Sequence, residues 1–144
     1  MTKAGVVLAV LTSGVVGSVS AQDRWIEINP GYTPQISLDT TKIVARRGEV
    51  FRVWLKMEYA APQSGTGING QSFEYSQLMQ QIDINCKTQQ LNLVRNIFYD
   101  ADQRTVNAYT APYESFFDPS PESIGEIKVV SICDYVRKSG LWKS

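Results

Sequence analysis

The stretch Phe51-Arg52-Val53-Trp54-Leu55-Lys56-Met57-Glu58-Tyr59 decides the fold. Phe51, Val53, Leu55, Met57 and Tyr59 fall on one side of a period-two pattern, and Arg52, Trp54, Lys56 and Glu58 fall on the other. Such a strand has one dry face and one wet face, as in an antiparallel sheet covered on a single side. Toward the N-terminus, Arg24-Trp25-Ile26-Glu27-Ile28 alternates in the same way, and Asn29-Pro30-Gly31 with Pro34 then forces a turn. Gln35 to Asp39 and Lys42 to Ala45 read as short strands, and Arg46-Arg47-Gly48 turns into the long one. Toward the C-terminus the expected order is a polar, glycine-rich loop over Ala60 to Ser72, then strands over Gln81 to Cys86, Leu91 to Tyr99 and Thr105 to Tyr109. Consecutive strands with short links favour antiparallel pairing, because parallel neighbours need a crossover of a dozen or more residues.

The last segment reads as a helix. Ser120 supplies an N-cap, Pro121 suits the first helical position and Glu122 adds favourable charge in the first turn. Val129, Ile132, Cys133 and Val136 then recur at i, i+3, i+4 and i+7, with Gly125 one turn earlier to permit close approach to the sheet. Glu126, Asp134 and Arg137 lie off this stripe and should stay wet. The fold class is therefore α+β, a single antiparallel sheet of about six strands with one C-terminal helix.

Two cysteines and no histidine are present in the 144 residues. Cys86 ends the alternating run Ile82-Asp83-Ile84-Asn85, and Cys133 lies on the apolar stripe of the helix, so a bridge between them would tie the helix to the sheet. The alternative is a pair of separate buried thiols. The start of the chain favours the bridge by placing the protein in an oxidising compartment. Lys3 is the only early charge, Ala4 to Val16 is an apolar run broken only by small residues, and Val19-Ser20-Ala21 is a small-residue cleavage site. Residues 1–21 read as a cleaved signal peptide and 22–144 as one domain, with an uncleaved anchor as the alternative. The apolar run is short of the about 20 residues a membrane span needs, so no span is expected after cleavage. No cysteine flanks the cleavage point, which argues against a lipoprotein anchor. Closing the Cys86–Cys133 loop would stabilise the fold by about 4 kcal/mol on the chain-entropy model.

Charge and residue types exclude several functions. Fourteen basic side chains balance fourteen acidic ones, and only Lys3 falls in the leader, so the mature charge is about −1. This lacks the concentrated basic field that nucleic-acid or membrane-surface binding requires. Without histidine, and with both cysteines paired, the commonest general base and the thiolate nucleophile are missing, so no enzyme is expected. A two-carboxylate glycosidase, from Glu58 with Glu74 or Asp83 with Asp100, has nothing in its spacing to single it out. Gly65-Thr66-Gly67-Ile68-Asn69-Gly70 matches G-x-G-x-x-G literally, but no helix pattern follows and position 90 is Gln, where the dinucleotide site needs an acid; it reads as a hairpin loop. Asp100-Ala101-Asp102 lacks the later ligands of a calcium loop and reads as a turn. No cofactor or metal is expected.

The residues left for function are on the surface. Trp54, flanked at period two by Arg52 and Lys56, offers an aromatic plane beside cations, a composition suited to protein interfaces. The plainer alternative packs Trp54 under the basic stems or beneath the helix. The Ala60 to Ser72 loop is a second candidate, and Ile127 with Val130, off the helical stripe, leaves apolar surface for a homodimer.

The order of motifs resembles the surface-adhesin protein E-like family of Gram-negative bacteria. It is carried by the Trp25 start, Ser37-Leu38-Asp39, Val53-Trp54-Leu55-Lys56 and Ile82-Asp83-Ile84-Asn85-Cys86. Phe98-Tyr99-Asp100 follows, and then Pro119-Ser120-Pro121 leading a helix to Cys133. The resemblance implies an antiparallel sheet with one disulfide-attached helix, exposure at the cell envelope and adhesion to host matrix proteins. The chain departs from the lipid-anchored namesake in lacking the anchor cysteine. Two readings follow. One is an exported adhesin-like module that binds a protein partner, such as a host matrix protein, through sheet and loop residues. The other is a periplasmic structural or accessory protein of the envelope with no host ligand.

Overall fold

The computed structural model describes residues 24–143 together with Gly14; the rest of the signal peptide expected over residues 1–21 lies outside the described residues. The alternation around Phe51 becomes the middle of a 17-residue strand. In chain order the elements are β1 (Trp25–Glu27), β2 (Gln35–Asp39), β3 (Val44–Ala45), β4 (Val50–Thr66), β5 (Ser72–Asn85), β6 (Gln90–Tyr99), β7 (Thr105–Thr110) and α1 (Ile124–Lys138). The sheet runs β1-β2-β4-β5-β6-β7, with β3 also paired to β4. Each pairing is antiparallel, so the α+β arrangement expected from the alternation is the one formed.

One face of this sheet holds the core. Ile36, Leu38, Val53, Leu55, Ile84, Ile132 and Val136 are fully buried, and Phe51, Ile82 and Val129 nearly so. The register aligns Leu38 with Leu55, Ile36 with Met57 and Phe51 with Ile84, so apolar side chains of three strands form one continuous layer under α1. Each buried aliphatic side chain contributes about 1.5–3 kcal/mol of apolar transfer. Cys86 and Cys133 are bridged, with Cα atoms 5.5 Å apart across a sequence separation of 47 residues. The bridge sits inside the same apolar cluster. Gly125 allows the approach foreseen for it, since a Cβ there would lie 3.1 Å from Pro119 and 3.4 Å from Leu91.

The helix starts three residues later than Ser120 predicts. Glu122 takes a left-handed φ of 59°, and Ser123 becomes the N-cap, its hydroxyl accepting from the Glu126 amide. Glu126 reaches back to accept from the Glu122 amide, so Ser123-Ile124-Gly125-Glu126 works as a capping box shifted by one donor. A serine with its own glutamate three residues on outcompetes Ser120, whose fourth-position partner is Ser123. At the other end Gly140, φ 77°, stops the helix and returns Trp142 to it, the Trp142 amide donating to Val136 at 3.0 Å.

The predicted loop over Ala60–Ser72 is a second correction. The chain stays extended to Thr66, turns over 67–71 and returns as β5 from Ser72. Pro62 cannot donate to a ladder, and it falls where the β4–β5 register slips between Glu58 and Gln63, a bulge that absorbs it. Aromatic packing replaces the missing order signal. Phe73 contacts Tyr75 and Phe98 at ring distances of 5.8 and 4.9 Å, and Tyr59 meets Tyr75 at 5.5 Å. The Phe73 ring lies over Gly65, where a Cβ would come within 2.5 Å of it. This glycine is a seat for an aromatic ring.

Replacing both cysteines by serine should cost about 4 kcal/mol, read as a lowered urea midpoint with circular dichroism near native below the transition. An unchanged midpoint would show that the bridge is dispensable. Ile132→Ala should cost about 2–5 kcal/mol in the same assay through the cavity it leaves between helix and sheet.

Candidate functional site

The face of the sheet turned away from α1 carries the side chains that the sequence marks for binding. Residues that pair across strands share a face, so Arg52 lines up with Asp83 and Asn92, Trp54 with Gln81 and Arg95, and Lys56 with Ser37, Met79 and Ile97. Arg52, Trp54 and Lys56 thus lie in three successive rows, all half-buried. Their position opposite the helix removes the alternative that Trp54 packs beneath it.

The three residues differ in what they are free to do. The Arg52 guanidinium grips Asp83 with both arms, Nε to Oδ1 at 2.7 Å and Nη2 to Oδ2 at 2.9 Å. Asp83 is fully buried and takes further contacts from Asn92 at 3.3 Å and Arg46 at 3.5 Å. The Asp83 hydrogen bond is the main reason that the Arg52 pKa rises, against the burial that opposes it. A buried carboxylate of this kind depends on its partner, so Arg52 is committed to the fold. Lys56 instead lies 4.9 Å from the centre of the Trp25 ring, with Glu58 at 3.9 Å. It spans β2 at the small, buried Ser37 to reach β1.

Trp25 is the residue that strand-by-strand reading misses. It shares a face with Glu27 in the sequence, but nothing short of the β1-β2-β4 order shows that Lys56 lies beside it. Arg24 stacks on the same ring at 5.5 Å while binding Asp39 at 2.7 Å. Burial alone would raise the Asp39 carboxyl, but hydrogen bonds from Arg24 and Thr41 outweigh it and hold the pKa below its ordinary value. The outcome is a face with two tryptophans, one lysine between strands and an arginine at the edge, in which both buried carboxylates are already satisfied.

The other sequence motifs resolve into structural parts. Gly65 to Gly70 forms the end of β4 and the hairpin turn, with Gly67 donating to Gln71 at 2.8 Å and a strand following in place of a helix. Asp100 accepts from the Asp102 and Arg104 amides, and Arg104 pairs with both Asp100 and Asp102, which makes a closed turn. Glu58 registers with Gln77 and Glu74 with Ser64. Asp83 pairs with Asn92, and Asp100 lies eight residues further along β6, roughly 26 Å at strand rise. Val130 is 54% exposed and Ile127 half-buried, so the helix keeps a modest apolar outer edge.

Lys128 precedes Ile132 by four residues and so belongs to the buried stripe. It is 8% exposed, and its ammonium donates to the Gln80 Oε1 at 2.6 Å. Burial pushes its pKa down to about 8.

The fold and this face define a small one-helix antiparallel-sheet module whose available chemistry lies in exposed side chains. The chain belongs to the surface-adhesin protein E family, a family of adhesin-like surface proteins, whose model matches residues 25–134. Protein E from non-typeable Haemophilus influenzae has the same fold at a TM-score of 0.55 and 12% identity, over 85% of this chain and 83% of that one. A second structure of Haemophilus influenzae protein E matches at 0.55 and 10% identity, over 88% and 94%. No curated protein matches the chain in sequence. Among the described residues no helix is long and apolar enough to cross a membrane.

Arg52→Met should cost about 3 kcal/mol in chemical denaturation, because it leaves Asp83 buried with only Arg46 and Asn92. Lys56→Met should cost less than about 1 kcal/mol; equal losses would refute the division of roles. Lys128→Met should stabilise the protein at pH 7 by about 2 kcal/mol. The folded pKa of Lys128 is depressed, so the unfolded chain holds the proton that the native one releases, and stability rises with pH above about 8. The wild type should gain about 2 kcal/mol relative to Lys128→Met between pH 7.5 and 9.5.

Proposed function

We propose that the protein is an exported, non-enzymatic envelope protein that binds another protein through the sheet face bearing Trp25, Trp54 and Lys56. The observation that carries this reading is the contrast between faces: one side of the sheet carries α1 and the apolar core, while the other presents two tryptophans and a lysine that no buried carboxylate claims. Aromatic and cationic side chains of this kind are enriched where proteins meet. Family membership supports adhesion as the purpose of that contact and a host extracellular-matrix protein as the partner. The leader at residues 1–21 supports export, and the absence of histidine supports binding without turnover. Of the three residues marked in the sequence, Trp54 and Lys56 make the contact and Arg52 holds the strands that present them. The second reading, a periplasmic accessory protein without a host ligand, is favoured by the lack of a cysteine at the expected cleavage point.

Protease shaving of intact cells separates the two readings. Loss of the protein from shaved cells, with saturable binding of the purified domain to immobilised fibronectin, laminin or collagen, supports adhesion. In that assay Trp54→Ala and Lys56→Glu should each weaken binding at least tenfold without moving the denaturation midpoint by more than about 1 kcal/mol. A protein that resists shaving and binds none of these matrix proteins fits the periplasmic role.

A further inference from the structure

The buried ammonium of Lys128 lies at the wall of a cavity between the start of α1, the middle of β5 and β6, and the segment that leads from Phe117 into the helix. The cavity measures about 360 Å³, within the range of about 300–1,000 Å³ typical of small-ligand sites. Its wall is mixed: Ile82, Leu91 and Leu93 from the sheet and Phe117 from the lead-in segment are apolar, while Gln80, Ser120, Ser123 and Lys128 add polar groups.

Lys128 has three N–H donors and one neutral acceptor, the Gln80 Oε1 at 2.6 Å. The Gln80 amide is itself fixed, since its Nε2 donates to Asn96 Oδ1 at 3.0 Å, so the oxygen stays turned toward the lysine. Among the described residues no carboxylate pairs with Lys128, although eight cation–carboxylate contacts are made among those residues. Asp83, the buried carboxylate three residues along β5 from Gln80, faces the other side of the sheet and belongs to Arg52. A cation on a buried lysine without a counter-charge is costly, and burial accordingly favours its neutral form. Ser123 also lines the cavity; its oxygen accepts from the Glu126 amide, which leaves its O–H to donate.

We infer that this cavity is a binding site for a small monocarboxylate with an apolar chain or ring, the carboxylate meeting Lys128 and Ser123 and the hydrocarbon lying against Leu91, Leu93 and Phe117. The anion supplies the missing counter-charge, and the apolar tail displaces water from the Leu91, Leu93 and Phe117 side chains, which cannot hydrogen-bond. A neutral amide of the same shape keeps only the apolar contribution, and an amine of the same length meets a like charge. The site lies on the helix side of the sheet and is independent of the protein-binding face.

Octanoate, octanamide and octylamine are suitable probes, titrated into the oxidised protein and followed by amide chemical shifts. Octanoate should bind at least tenfold more tightly than octanamide, octylamine should not bind, and the shifts should centre on Gly125, Lys128, Gln80 and Leu93. Lys128→Met should lose at least tenfold in octanoate affinity and leave octanamide unchanged. Leu93→Trp fills the cavity from the sheet side and should abolish octanoate binding with Lys128 intact. Equal binding of acid and amide, shifts centred elsewhere, or octanoate affinity kept by either folded variant would overturn the site.

Discussion

A sheet with one dry face must have that face covered, and here a single 15-residue helix provides the cover. A helix is about 10 Å across and strands are about 4.8 Å apart, so α1 can shield about two strands of a sheet that is six strands wide along its main path. The fully buried positions gather at this contact, Val53, Leu55 and Ile84 from the sheet and Ile132 and Val136 from the helix. The Cys86–Cys133 bridge secures this contact from within the core layer. A small helix buries too little apolar surface to hold its place against chain entropy by a wide margin, and a covalent tie removes much of that freedom from the unfolded chain.

The rest of the dry face follows from the same shortage of cover. Beyond the helix, the long β4–β5 arm protects itself with Tyr59, Phe73, Tyr75 and Phe98, rings packed against one another and, through Gly65, against backbone. Burial, with a contribution from Tyr75, raises the Tyr59 hydroxyl to about 12. At the margin of the helix the cover is incomplete, and a cavity opens beside Lys128. The opposite face is organised by charge. Asp39 and Asp83 are buried there, each gripped by an arginine of a neighbouring strand, Arg24 across β1–β2 and Arg52 across β4–β5. These pairs engage Arg24 and Arg52 and leave Lys56 between Trp25 and Glu58.

Strand positions were legible wherever alternation was strict. The segments Gln35–Asp39 and Leu91–Tyr99 appear in the structure within a residue of where the pattern places them, and the strand through Phe51 to Tyr59 starts within a residue of it but runs on to Thr66. The β4–β5 arm was not legible, because Pro62, Gly65 and Gly67 carry turn chemistry locally, and what keeps that arm extended is ring packing between strands. The helix was legible from its stripe and its start was not, since Ser120 and Ser123 are both acceptable caps until Glu126 decides between them. For the candidate site, Trp54 and Lys56 were visible as residues of a wet face. Trp25 and the capture of Arg52 by Asp83 were not, because both depend on which strands lie side by side. Lys128 was visible in its spacing, but a lysine on an apolar stripe is ordinarily a side chain that reaches out to solvent.

Native-state amide exchange of the oxidised and reduced protein measures the helix attachment directly. If the bridge holds α1 on the dry face, reduction should cut protection of the α1 amides by about a thousandfold, the equivalent of about 4 kcal/mol, while the paired β4–β5 amides from Val53 to Leu55 lose less. Equal protection of α1 in both states would contradict the account, because the helix would then be held by packing alone.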